Sequence, residues 1–404
     1  MSPPRRSSRS YSRSRIAFFV LSLVVVSSLA GGRWFAEAVR DEDDSLYKYL
    51  STFTEVLSLI RQAYVDDTDL DRLMVGALDG TTEALDPFSL YVPADRVEGF
   101  LAARERGSRL SGLTLLKERG IAFVVAVEAG SPAAEAGIVP GDLVTEIDGR
   151  STRVMPLWEV QQLMAGEPGR VLDLELIRRG EEISTSFALA AYDAALATWQ
   201  PVGPQGDRVA ELRVNRFETG TAERVAAALA AVREAGLSRL LVDLRDIAGG
   251  DTPAAYEVAG LFTSGELGRL VQRGETIQTF EGGERPAWEG RIVVLVNRGT
   301  LGAAEVLAKV LRQRADAELV GETTFGHAGR QEEARLSSGR LFFTSAFYTG
   351  PDGAPLDEGL EPDESVDLAS RGYEEREVPL SELIHRRGLE RLRGVADEGV
   401  ARAA

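Results

Sequence analysis

Between Arg291 and Gln331 the sequence strings together residues suited to hydrolytic chemistry. Ile292-Val293-Val294-Leu295-Val296 is a continuous apolar, β-branched run, the pattern of a strand covered on both faces. Asn297-Arg298-Gly299-Thr300-Leu301-Gly302 then turns the chain, and Ala303 to Leu311 has helix-forming composition. A residue at such a turn sits at a helix N-terminus, where free backbone N–H groups hold an anion, and many hydrolases place their nucleophile there. Nucleophilic catalysis needs an activatable side chain and a base within hydrogen-bond reach. Thr300 offers a hydroxyl, His327 an imidazole that can act as a base near neutral pH, and Gly302 no side chain at all. Lys309 lies seven residues beyond Gly302, about 10 Å along a helix, too far to be a base for that position. Two histidines and no cysteine leave no metal-ligand cluster, so neither metal nor cofactor is expected.

Positioning these groups calls for a layered core. Arg208 to Val214 alternates like a half-buried strand, Ala222 to Glu234 like a helix, and Leu240-Leu241-Val242-Asp243-Leu244 is a further buried strand. Strand, helix, strand repeated with short connections predicts an α/β core with parallel pairs. Upstream, Leu50, Phe53, Val56, Leu57 and Ile60 recur at three- and four-residue spacing, which predicts a helical segment from Ser45 to about Ala103, broken at Pro87.

The run from Asn297 to Glu305 resembles the carboxyl-terminal processing (tail-specific) serine peptidases, which pair a serine with a lysine. Their pattern there is Asn, two variable residues, Ser or Thr, Ala, the nucleophile Ser, Ala, Ser or Ala, Glu. By that register Gly302 stands in the nucleophile's place, and Thr300 matches a position that is already Ser or Thr in active relatives. Gly321-Glu322-Thr323-Thr324-Phe325-Gly326-His327-Ala328-Gly329-Arg330-Gln331 is similar to the block that carries the family's lysine. Here His327 replaces that lysine, Ala328 replaces a glycine, and Gln331 is retained. After Asp243-Leu244-Arg245 the family has Asn-Pro-Gly-Gly following one variable residue, and its diglycine helps form the oxyanion hole. This chain keeps Gly249-Gly250 but not the Asn-Pro, and Ala303 adds a third candidate for that hole. Leu85-Asp86-Pro87-Phe88-Ser89 also resembles a family segment, with Phe88 where His is usual. The resemblance runs from about Tyr47 to Asp367 and implies an α/β peptidase core, mixed α+β in detail, with an N-terminal helical segment and an inserted PDZ domain.

That PDZ domain is identified by Gly130-Ser131-Pro132-Ala133-Ala134-Glu135-Ala136-Gly137 and Pro140-Gly141-Asp142. Ile121 to Val127 and Leu143 to Ile147 read as strands around them. PDZ domains add a peptide C-terminus as a strand to a sheet edge and hold its carboxylate on loop N–H groups. Ser111-Gly112-Leu113-Thr114-Leu115 matches that loop, with Thr114 where a second glycine is common. A module that only packs and gates is the other reading.

The chain has 404 residues, enough for two or three cores. Its formal charge is −17, although Arg5, Arg6, Arg9, Arg13 and Arg15 precede Ile16, so the body is more acidic still. Such a body argues against nucleic acid and against adsorption to anionic lipid. The basic start, the apolar run Ile16 to Ala30 and Gly31-Gly32 predict a membrane anchor with the body outside a bacterial-type inner membrane. The run is short for a span of roughly 20 residues, and Ser28-Leu29-Ala30 would suit signal cleavage and secretion instead. The expected domains are a basic tail (1–15), the anchor or signal (16–32), helical (42–105), PDZ (106–192), peptidase-like core (193–375) and C-terminal helical tail (376–404). That tail is expected to dock or to edge a dimer, with His385 on its surface. The expected function is a pseudopeptidase that binds polypeptide C-termini as adaptor, decoy or partner of an active relative, alone or as an oligomer. The alternatives are a working endopeptidase using Thr300 or a His327 base, and a structural subunit that binds no peptide.

Overall fold

The computed structural model describes residues 47–106, 109–193, 195–367, 375 and 377–394. The tail at 1–15 and the apolar segment at 16–32 lie outside them. Among the described residues no helix is long and apolar enough to cross a membrane.

The chain divides into two compact units, 1–76 and 77–404. Helix α1 (47–63) opens the described part, followed by α2 (Leu70–Glu83), whose last turns belong to the second unit. Where helix was expected up to Ala103, the chain instead forms β1 (Leu90–Pro93) before α3 (Val97–Arg106). The helical stretch is already interrupted between α1 and α2 and stops at Glu83, before Pro87, and the Leu90-Tyr91-Val92 run finds a strand partner far away at 340–342.

Next come β2 (Leu113–Glu118), β3 (Ile121–Val127), α4 (Pro132–Glu135), β4 (Leu143–Ile147), β5 (Arg150–Ser151), α5 (Leu157–Met164), β6 (Val171–Arg178) and β7 (Glu181–Ala188). The long strands form one antiparallel sheet in the order β2-β3-β4-β6-β7, so among the described residues β2 is an edge whose sole strand neighbour is β3. Ser131 caps α4, its Oγ accepting from Ala134 N–H, and Pro132 starts the helix where no N–H is needed.

The remaining elements are β8 (Ala197–Val202), β9 (Val209–Val214), α6 (Thr221–Glu234), β10 (Arg239–Asp243), α7 (Thr252–Ala259), β11 (Gly265–Gln272) and β12 (Glu275–Gly282), then β13 (Arg291–Val296), α8 (Ala303–Arg314), β14 (Glu318–Gly321), β15 (Gly329–Leu336), β16 (Gly339–Tyr348), β17 (Glu364–Ser365) and α9 (Leu380–Arg393). Their central sheet runs β17-β14-β13-β10-β9-β8, parallel from β17 to β9, with β8 antiparallel at the edge. The unbroken apolar run of β13 has a direct cause. Ile292, Val294 and Val296 pack with α6, α7 and α8 on one face, while Val293 and Leu295 pack with Leu383, Ile384 and Leu392 of α9 on the other. A further sheet, β1-β16-β11-β12 with β15 on β16, carries the Gln331 strand.

His385 is not the plain surface histidine that its charged surroundings suggest. Its Nε2 lies 2.9 Å from Glu211 Oε1 on β9, because docking α9 on the sheet brings the helix's polar edge onto that strand.

Candidate active-site frame and peptide groove

The turn between β13 and α8 is fixed by side chains that bond to backbone. Asn297 Oδ1 accepts from the N–H groups of Gly299 (3.1 Å) and Asp246 (3.0 Å), while its Nδ2 donates to Asp246 Oδ1 (2.6 Å). Asp246 itself has φ +59°, and burial pushes its carboxyl upward against the Asn297 donation that holds it down. Leu301 N–H donates to Ile247 O at 2.9 Å, and Leu301 bridges Ala248 in parallel fashion. The β13–α8 turn and the loop leading to Gly249-Gly250 are therefore one rigid assembly.

Thr300 is fully buried within it. Its Oγ1 donates to Leu244 O (2.9 Å) and accepts from Asn297 N–H (3.0 Å). Both capacities of the hydroxyl are used by backbone, which makes it a strut of the turn.

Gly302 is the N-cap of α8, with φ +65° and ψ −113°, a conformation that costs an L side chain on the order of 1–2 kcal/mol. The same geometry leaves room: a Cβ there would come no nearer than 3.8 Å to Gly249 Cα and His327 O, with Gly249 N at 4.0 Å. A side chain on residue 302 would thus face the backbone of Gly249, which has φ +85° and is followed by Gly250 at +101°. Ala303 begins the helix beside them.

Glu305, three residues into the helix, ties this turn to the His327 loop. Its carboxylate accepts from the N–H groups of Gly302 (2.9 Å), Gly326 (2.6 Å) and His327 (3.0 Å) and from Thr324 Oγ1 (2.5 Å). Burial pushes the Glu305 carboxyl up, and these four donors oppose that by stabilising the ionised form. Sequence reasoning assigned no role to this residue. Its signal was present in the spacing, since Glu at the third helical position characteristically reaches back to the cap N–H.

The imidazole of His327 lies parallel to Phe88 (centroids 4.1 Å apart, 19° between planes) and edge-on to Phe347 at 5.3 Å. Its Nε2 is 3.3 Å from Thr344 Oγ1. Burial lowers its pKa, opposed by the charges of Asp86 and Asp357. Gln331 Nε2 donates to Phe88 O at 2.6 Å, so the retained glutamine holds the aromatic that covers the histidine. Lys309 is placed away from the turn, donating to Ala354 O (3.1 Å) and paired with Asp352 (3.3 Å).

The Ser111–Leu115 stretch divides between a turn and a strand, since Leu113 onward is β2. Ser111 Oγ accepts the N–H of Leu113 at 3.2 Å, and Gly112 O accepts the N–H of Glu128 at 2.8 Å. A cavity of about 250 Å³ runs along β2 and α5 and reaches Phe88 and Gln331. A second, of about 170 Å³, touches Thr114 from the other side and is lined by Ala248, Gly249 and Gly250. Thr114 thus borders both spaces. Chemically the frame offers backbone donors at a helix terminus and a half-buried imidazole. The hydroxyl of the turn itself, that of Thr300, is committed to backbone, and the hydroxyl that faces the imidazole is Thr344 Oγ1.

Residues 208–366 match the family described as Peptidase family S41, and residues 123–178 match the PDZ domain. The chain is 34% identical over 253 residues to the carboxyl-terminal-processing protease of Synechocystis sp., covering 60% of this chain and 58% of that protein. It is 26% identical over 325 residues to a probable CtpA-like serine protease of Staphylococcus aureus, covering 79% of this chain and 65% of the relative. In each case the chain spans less than two thirds of the relative's own length. Among solved structures, a photosystem II D1 C-terminal processing protease superposes with a TM-score of 0.63 at 24% identity, over 78% of this chain and 92% of that one, a likeness of fold.

Proposed function

From a chain that belongs to the carboxyl-terminal processing family of serine peptidases and carries that family's PDZ domain, we infer a protein that binds polypeptide C-termini and does not cleave them. The observation that carries this reading is Gly302. At the cap of α8, where a side chain would face Gly249, the residue has no atom to activate. His327 supports the same reading, being stacked on Phe88 with burial disfavouring the cation that a general base becomes when it takes up a proton. Thr300 fits a structural role better than a catalytic one, because its hydroxyl is already bonded as donor and acceptor.

The rest of the proposal concerns placement. Residues 16–32 anchor the protein, with the basic tail inside and the body outside the membrane. Residues 106–192 form the PDZ module and 193–375 the silent core, and the protein serves as adaptor, decoy or partner of an active relative. The test is an active-site-directed fluorophosphonate applied to the purified full chain, together with digestion of an unfolded protein. No labelling and no cleavage above a buffer control are expected. Labelling that disappears in Thr300→Ala would overturn the reading in favour of a relocated nucleophile.

A further inference from the structure

Building on the reading of this chain as a binder of polypeptide C-termini, we propose that Arg104, on helix α3 outside the PDZ sheet, reads the terminal carboxylate of a peptide whose last side chain is apolar. Strand β2 hydrogen-bonds in its sheet only to β3, so its other edge can accept an added strand, and the space beside it is the cavity of about 250 Å³. Leu113, Leu115 and Met164 form its PDZ wall, and Phe100 of α3 closes it from the other side. Such a lining selects an apolar side chain, because a polar one would lose its water without gaining partners.

Charge then fixes what accompanies that side chain. Among the described residues Arg104 is the one charged residue that lines the cavity. Its guanidinium lies 5.0 Å over the ring of Phe342, which fixes its approach, and among the described residues no carboxylate pairs with it. In a chain of net charge −17, an arginine left to an aromatic face at the mouth of an apolar groove is a receptor for an anion. The backbone beside it is also short of one donor. Leu113 N–H, at the start of β2, is already taken by Ser111 Oγ, so that N–H does not serve an incoming carboxylate. The groove is therefore assembled from two parts of the chain. The PDZ strand supplies the edge and the apolar wall, and α3 supplies the cation.

The experiment titrates the full chain with one fluorescent apolar-ended peptide in three forms: free acid, C-terminal amide, and amide with glutamate as its last residue. Wild type is expected to prefer the free acid to both amides. In Arg104→Gln the free acid should weaken about tenfold, the scale of one charge-assisted hydrogen bond, toward the affinity of the plain amide, which itself stays unchanged. Arg104→Lys should fall between, keeping charge but losing the fork. Arg104 is exposed, so the fold should tolerate each change. Equal binding of acid and plain amide by wild type would overturn C-terminus recognition altogether, and this proposal with it. A clear acid preference that survives in Arg104→Gln would overturn the role of Arg104 alone. A glutamate-ended amide that binds as tightly as the free acid would overturn the reading of the terminus in favour of any carboxylate.

Discussion

The β13–α8 turn and the β2 groove differ in what their side chains are committed to. At the turn every supporting contact is in place: Asn297 to Asp246, Thr300 to Leu244, Glu305 to three backbone N–H groups. What is missing is the reacting group itself, since residue 302 ends at Cα. At the groove stand an open strand edge, an apolar wall and an arginine that has no acidic partner among the described residues. The difference teaches that supporting contacts and reactive groups are separable. Struts such as Thr300 and Glu305 hold the chain's path whether or not the site reacts, whereas a nucleophile contributes to turnover and little to stability.

The most forceful way to break that contrast is to restore the missing groups. Gly302→Ser with His327→Lys should produce cleavage of an unfolded protein while either single change stays at the buffer level. In a serine peptidase the nucleophile is worth about 10⁶ in turnover, so even partial restoration is visible. Space for the serine exists, with no atom within 3.8 Å of the new Cβ. The positive φ should lower stability by on the order of 1–2 kcal/mol, which a thermal melt would register. Cleavage by Gly302→Ser alone would mean that His327 is a competent base. An inert but folded double variant would locate further damage at Ala248, where the family has proline, or at Ala328.

A smaller effect sharpens the structural half of the comparison. Glu305→Ala leaves the N–H groups of Gly302, Gly326 and His327 and the hydroxyl of Thr324 facing an empty, fully buried site. Removing one partner of so buried a polar cluster costs about 3–5 kcal/mol, so denaturant unfolding should shift strongly. Arg104→Gln, at the groove, should leave the same unfolding curve in place. A Glu305→Ala protein as stable as wild type would mean that water or loop movement replaces the carboxylate, and the turn would not be the strut described here.

Much of this arrangement was legible in residue order. The buried run Ile292 to Val296 is apolar at every position because helices cover both faces of β13, and the Gly-Ser-Pro-Ala run encodes its own cap, so both read directly. What escaped is whatever depends on distant backbone. Gln331 spends its amide on a carbonyl 243 positions away, and His385 meets a carboxylate 174 positions away, neither of which local pattern can reveal. The strand β1 was hidden for a related reason. Four residues carry too little period to compete with the helical spacing around them, and only the partner strand β16 decides their conformation.

The weakest expected effect concerns protons at His327. Burial among Phe88 and Phe347 lowers the His327 pKa from its ordinary 6.5, although Asp86 and Asp357 pull the other way. The unfolded chain regains the ordinary value, so between the lowered folded value and 6.5 it binds more protons than the native state. Stability from this group is then fully present above 6.5 and is lost as pH falls through that window. Melting wild type and His327→Gln at pH values about one unit either side of 6.5 isolates the term. Wild type should lose more on acidification than the variant, in which the titrating group is gone. The groove should behave differently across the same range, because guanidinium and carboxylate groups ordinarily titrate far outside it, so the preference for free acid over amide should hold. An equal pH response in wild type and His327→Gln would show that the imidazole is as well solvated in the fold as out of it, and that the Phe88 stack does not bury it as the geometry requires.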